Sequence, residues 1–259
     1  MTRAAAWGAR AVAPLVALLI AAAAVLTACG ASPTPIGPAG IDGLTIPTPS
    51  PAPADFAGGA RSNAWFPLEP GTRWIYRQYT PYGERAVSAT VLPGVRRIDG
   101  IPTTAVRWQV RVDHADRTAM VRWYAVDNDD NVWWFGQQVA PHDPLLDPPL
   151  DPLAPRSWQA GRDGAEAGLI LTGTPRVGDG YFNGRQPRVV ERRSTLVSLI
   201  ASVVTTRRTF HHTVVTSDLS SLAPLHTVQT YYGRGLGMVA QEDSASTSTS
   251  LSLVRMTRG

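Results

Sequence analysis

The chain has no lysine and one cysteine, Cys29. A lone thiol forms no internal disulfide and no thiolate metal site, so a domain of this size must be held by an ordinary core. Neither a GxSxG elbow nor an HExxH helix occurs, which removes two hydrolase signatures. No window carries a sustained 3.6-residue apolar stripe bounded by caps, so amphipathic helices are not expected. There is no basic stripe with interleaved aromatics, and no nucleic-acid partner is expected. All 24 basic residues are arginine, a pattern that points to GC-rich coding more than to function. Gly233, Gly235 and Gly237 precede strand-like residues rather than a helix, so they form no phosphate cradle, and no cofactor is expected.

What is present begins at the N-terminus. Arg3 and Arg10 precede an apolar run over residues 11–25, too short and too alanine-rich for a comfortable membrane span. The run closes on Leu26-Thr27-Ala28-Cys29. This segment resembles the lipobox of bacterial lipoproteins, in which the cysteine is lipidated and becomes the mature N-terminus. The resemblance implies a signal peptide over residues 1–28, lipidation at Cys29 and anchoring at the extracytoplasmic face of the cell membrane. Two or more acyl chains, at roughly 0.8 kcal/mol per buried methylene, would make that anchor stable. Loss of the leader removes two of 24 arginines and no acid, leaving 22 against 20 acids.

Residues 29–63 hold Pro33, Pro35, Pro38, Pro47, Pro49, Pro51 and Pro53 among small and polar residues. Such a stretch buries too little to offset chain entropy and reads as an extended, lipid-anchored linker. At polyproline spacing it would reach up to roughly 100 Å.

Residues 64–259 read as one extracytoplasmic β-domain. In Val106-Arg107-Trp108-Gln109-Val110-Arg111-Val112, apolar and polar residues alternate strictly, as a half-buried strand requires. Runs at 118–126 and 132–139 flank the polar turn Asp127-Asn128-Asp129-Asp130-Asn131 and predict a hairpin. Further runs follow at 196–205, 210–217, 227–232, 236–241 and 247–256. The expected fold class is all-β: an antiparallel, strongly curved sheet, a sandwich or a partly open barrel. Residues 140–155 break the rhythm with six prolines and with Asp143, Asp147 and Asp151 spaced four apart. Proline excludes a regular helix there, and the stretch reads as an exposed connector in preference to a binding loop.

Several segments are similar to those of an uncharacterised family of bacterial exported proteins and lipoproteins. Phe66-Pro67-Leu68-Glu69-Pro70-Gly71-Thr72-Arg73-Trp74-Ile75-Tyr76 resembles its PLxxGxxWxY opening. Residues 127–137 resemble DxDGNVWYFGE, residues 157–168 SWEAGxDGAxPG, residues 175–181 PxVGDxY and residues 231–239 YYAPGVGLV. The resemblance implies fold and location, without catalytic residues. Asp130 replaces a family glycine and Gln137 a family glutamate, changes that would weaken a cation site.

Three sets of residues remain as site candidates. Asp127, Asp129 and Asn131 occupy the first, third and fifth positions of a calcium-loop spacing, but Val132 and Gln138 fill the sixth and twelfth. That makes a hairpin turn the better reading of a weak metal candidate. Trp133 and Trp134 must point to opposite strand faces, so one faces the core and the other a surface or cavity suited to a ligand. His212, Asp218 and His226 could converge as the acid-base site of an extracytoplasmic hydrolase. The leading expectation is a non-enzymatic domain, anchored to the membrane through Cys29, that binds a ligand or an envelope protein; the hydrolase is the alternative.

Overall fold

The computed structural model describes residues 50–57, 62–244 and 250–259. The expected leader, the lipobox-like segment with Cys29 and most of the proline-rich stretch lie outside these residues. A short 3₁₀ turn at Pro53–Phe56 precedes β1 (Arg73–Thr80), β2 (Gly83–Val91), β3 (Arg96–Ile98), β4 (Ile101–Val112), β5 (Ala115–Val126) and β6 (Val132–Val139). There follow β7 (Trp158–Gln159), β8 (Glu166–Leu171), β9 (Gly180–Gln186) and β10 (Val190–Val204). The chain ends with β11 (Thr209–Ser220), β12 (Thr227–Gly233), β13 (Gly237–Asp243) and β14 (Ser250–Thr257).

The strands pair antiparallel in the order β2-β1-β14-β13-β12-β11-β10-β9-β8-β6-β5-β4. β2 then pairs with β4, Val87 opposite Val110 and Ala89 opposite Trp108. The ribbon thus returns to its first strand, and twelve strands close a barrel. β3 is an appendage on β4, and β7 on β6. Of the architectures open to an all-β chain, closure leaves the fewest unpaired edges. The ring is thinnest between β8 and β9, where two residue pairs connect the strands.

Alternation explains the strands. Along β1, Trp74, Tyr76, Gln78 and Thr80 are buried while their neighbours are more exposed, so one face looks into the barrel. Tyr76 stacks on Trp108 of β4 with ring centroids 5.7 Å apart. The β5–β6 connection is the predicted hairpin, its turn falling on the acidic run.

The packed domain begins upstream of the expected boundary at Ala64. Phe56 is buried edge-on against Trp133 and Phe135, at 6.3 and 5.7 Å. Asn128 N–H donates to Asp55 O at 2.7 Å. Asn63 is buried and donates through Nδ2 to Asp130 O at 2.8 Å. One large aromatic in an otherwise small and polar segment is enough to dock it, because a ring buries far more area than its neighbours.

Candidate functional site

Side chains from β4, β5, β8, β10, β12, β13 and β14 meet in a single cavity of about 60 Å³. Only the barrel interior is accessible to strands from all around the ring. Its charged floor comes from Arg122 on β5, Arg192 on β10 and Asp151, which lies on none of the strands. Asp151 arrives on the proline-rich loop between β6 and β7.

That loop is no free connector. Its prolines lack amide donors and cannot join a ladder, so side chains from the barrel hold it. Arg85 of β2 donates to Asp147 O at 2.9 Å and to Pro148 O at 2.5 Å. Arg117 of β5 pairs with Asp143 at 3.0 Å. Gln137 of β6 donates through Nε2 to Ala154 O and Arg156 O at 2.5 and 2.9 Å, and its Oε1 accepts from Arg122 Nε at 2.9 Å. An ionised glutamate at 137 could not donate to those two carbonyls, so the glutamine suits the loop of this chain.

At the centre, the Asp151 carboxylate accepts from Arg122 Nη2 and from Arg192 Nη1, the latter at 2.5 Å. Arg192 Nη2 donates to Asp218 of β11 at 2.8 Å. Asp218 also accepts from Ser194 Oγ and from Thr230 Oγ1, the latter at 3.1 Å. Arg192 is 5% exposed and Asp218 1%. Burial alone would push the Asp151 carboxyl up, but the Arg192 and Arg122 guanidinium groups outweigh it and hold it below its ordinary value. Burial likewise opposes charge on Arg192, and Asp151 and Asp218 outweigh it. Arg122 lies 4.8 Å from the centroid of the Trp134 ring, within cation–π range.

Two donors at this cavity have no acceptor among the described residues: Arg192 Nε and Trp108 Nε1 are buried and unpaired there. Buried donors are nearly always matched, so both count as capacity for an acceptor. Phe66, Trp108, Tyr124 and Met238 also line an apolar cavity of about 30 Å³ next to it. The interior is therefore charged on one side and aromatic on the other.

The sequence-nominated residues lie elsewhere. Asp127 Oδ1 accepts from the N–H groups of Asp129 and Asn131 at 2.9 and 2.8 Å. Its Oδ2 accepts from Asn131 Nδ2 and Trp133 Nε1 at 2.9 and 2.7 Å. This is the geometry of a self-satisfied turn, and Asn131 Oδ1 in turn accepts from Gly173 N. Trp133 and Trp134 do point apart, but both are buried. Phe56 covers the first, and Trp158 packs edge-on against the second at 4.9 Å. Trp134 Nε1 donates to Gly136 O. His212 is exposed, His226 pairs with Asp243 at 2.6 Å, and Asp218 belongs to the arginine network. The structure joins none of the three to another by a hydrogen bond.

Sequence reasoning missed Arg122, Arg192 and Asp151. The available signal was a charge at an inward position of a strand: Met120, Arg122 and Tyr124 share one phase, as do Val190, Arg192, Ser194 and Leu196.

No known family profile matches the chain, and no curated protein matches it in sequence. Two solved structures are similar in shape. One, from Parabacteroides distasonis and described as a "putative lipoprotein", is 10% identical over 76% of this chain and all of its own, with a TM-score of 0.38. The other, from Bacteroides fragilis and described as a "putative exported protein with YmcC-like fold", is 13% identical over the same shares, with a TM-score of 0.34. Both likenesses are remote, and the fold assignment stands on the strand pairings above.

Proposed function

We propose that this chain is a lipid-anchored extracytoplasmic lipoprotein whose barrel binds a small ligand in its interior and does not catalyse a reaction. The observation that carries the binding reading is the pair of buried, unmatched donors, Arg192 Nε and Trp108 Nε1, at one interior cavity. Desolvated donors cost about 1–3 kcal/mol each when unpaired, and an acceptor on a ligand would recover that cost. The chemistry favours binding over hydrolysis. Two arginines hold the Asp151 carboxyl below its ordinary value, which moves it away from the range useful for proton transfer near neutrality. The address rests on the leader: Arg3 and Arg10, a short apolar run and Leu26-Thr27-Ala28-Cys29 together support lipidation and membrane anchoring.

Native mass spectrometry of the full chain, extracted gently from its own host, tests the reading. The expected result is a reproducible excess mass that disappears on denaturation. A chain that carries only its acyl groups, and that no small molecule stabilises against heat, would remove the interior-binding reading.

A further inference from the structure

We infer that the interior site takes a small organic acid with an apolar tail, whose carboxylate replaces that of Asp151 between Arg122 and Arg192 while the loop over residues 140–151 moves aside as a lid. This inference rests on the interior-binding reading above and adds to it a ligand class and a gate.

Charge is the first argument. Arg122 and Arg192 face Asp151 and Asp218, so the closed interior is balanced. Asp218 is built into the wall, tied to Ser194 and Thr230 on neighbouring strands. Asp151 is the one partner carried on a segment outside the sheet. If it withdrew alone, two buried arginines would share one carboxylate, and an uncompensated buried charge is strongly unfavourable. Entry of one negative charge restores the balance. Opening is therefore coupled to the arrival of a monoanion.

Space is the second argument. A cavity of about 280 Å³ lies beneath the loop, with Met120, Val139, Leu146 and Pro149 among its walls. Met120, Leu150 and Asp151 line both that cavity and the inner one of about 60 Å³. The Leu150-Asp151 segment is thus the movable partition between them, and its displacement joins the two into a space at the lower end of ordinary ligand pockets, about 300 Å³. A carboxylate at the arginines would leave its tail against Met120 of β5 and Val139 of β6, the walls that stay in place.

The third argument is how the lid is held. Its six prolines leave few backbone bonds to break, and its contacts at Arg85, Arg117, Arg122 and Arg192 are polar ones that water or an anion can replace. The anchored end is the stretch that follows Asp151: Leu153 is fully buried and Gln137 grips Ala154 and Arg156. In the closed form the second Asp151 oxygen is tied to Leu153 N at 3.0 Å, so one oxygen serves both arginines. A free carboxylate has both oxygens to offer, and Arg192 Nε is there unmatched.

The test compares octanoate with octan-1-ol, using the full chain in lipid nanodiscs and protein-free nanodiscs as the blank. Titration calorimetry should show octanoate binding Asp151→Asn about tenfold tighter than the native chain, with octan-1-ol changed by less than about twofold. Octanoate should also raise the thermal midpoint of Asp151→Asn, and speed amide exchange over residues 143–151 of the native chain. Equal octanoate affinity in both proteins, or octan-1-ol binding as well as octanoate, would overturn the exchange of carboxylates and leave interior binding of a neutral ligand standing. If Asp151→Asn does not fold, the native chain decides alone. Faster loop exchange with octanoate but not octan-1-ol supports the gate, and unchanged exchange overturns it.

Discussion

Asp151, on a loop that belongs to no sheet, meets Arg192 of β10 at 2.5 Å, and Arg192 meets Asp218 of β11 on its other side at 2.8 Å. A cation so placed is worth most through what its removal leaves behind. Arg192→Met should destabilise the chain by about 3–5 kcal/mol, because two buried carboxylates lose a shared partner. Urea unfolding followed by tryptophan fluorescence reads this directly. The exposed pair Arg77–Glu84, at 2.7 Å, is the control: Arg77→Met should cost less than about 1 kcal/mol. Equal losses at the two sites would mean that the interior pairs contribute no more than surface ones.

The same network sets a dependence on pH. The Asp151 carboxyl is held below its ordinary value in the folded chain, while an unfolded aspartate titrates near about 3.9. A depressed carboxyl contributes stability that is fully present above the unfolded value and is lost as pH falls through the folded one. The stability difference between the native chain and Asp151→Asn should therefore be constant above about pH 5 and shrink below about pH 4. A difference that stays level through the acid range would show that Asp151 gains nothing as an anion in the fold.

Much of this architecture was legible in the sequence, and the reason it was legible also marks where reading stopped. The run Val106 to Val112 alternates strictly and lies within β4, and the acidic run 127–131 forms the β5–β6 turn. Both are local patterns. Closure of the barrel depends on β2 meeting β4, and nothing local specifies a partner strand. Trp133 and Trp134 diverge as strand geometry demands, yet neither is free. Phe56, from a segment that composition marks as a spacer, covers one face, and Trp158 covers the other. The spacing of Asp143 and Asp151 was visible, but Arg117, Arg122 and Arg192 come from distant strands. An inward arginine on β5 gains meaning only once its carboxylate is known.

The thinnest part of the ring gives a sharp test of the packing. Gly168 sits where β8 passes β9, and a Cβ there would lie 2.2 Å from Phe182 O and 2.5 Å from the Asn183 carbonyl carbon. Both are backbone atoms, so no side chain can turn away. Gly168→Ala should force the strands apart and cost about 1–3 kcal/mol or more. Amide exchange should rise first over residues 166–171 and 180–186, since only two residue pairs join these strands. Native-like protection there would mean that the barrel wall can shift by more than an ångström at no cost.

On the proposed reading, Cys29 carries the address. The apolar run before it spans residues 11–25, short of the roughly 20 residues that cross a bilayer as a helix. Anchoring should then depend on the thioether that only a cysteine can form. Cys29→Ser is expected to lose incorporation of labelled palmitate and to move from the membrane to the soluble extracytoplasmic fraction. Acyl chains contribute roughly 0.8 kcal/mol per buried methylene, so their loss leaves no comparable attachment in the proline-rich stretch that follows. Retention of the unlabelled variant in the membrane would reassign the anchor to residues 11–25 themselves. The barrel would then be held by a peptide segment and not by a lipid.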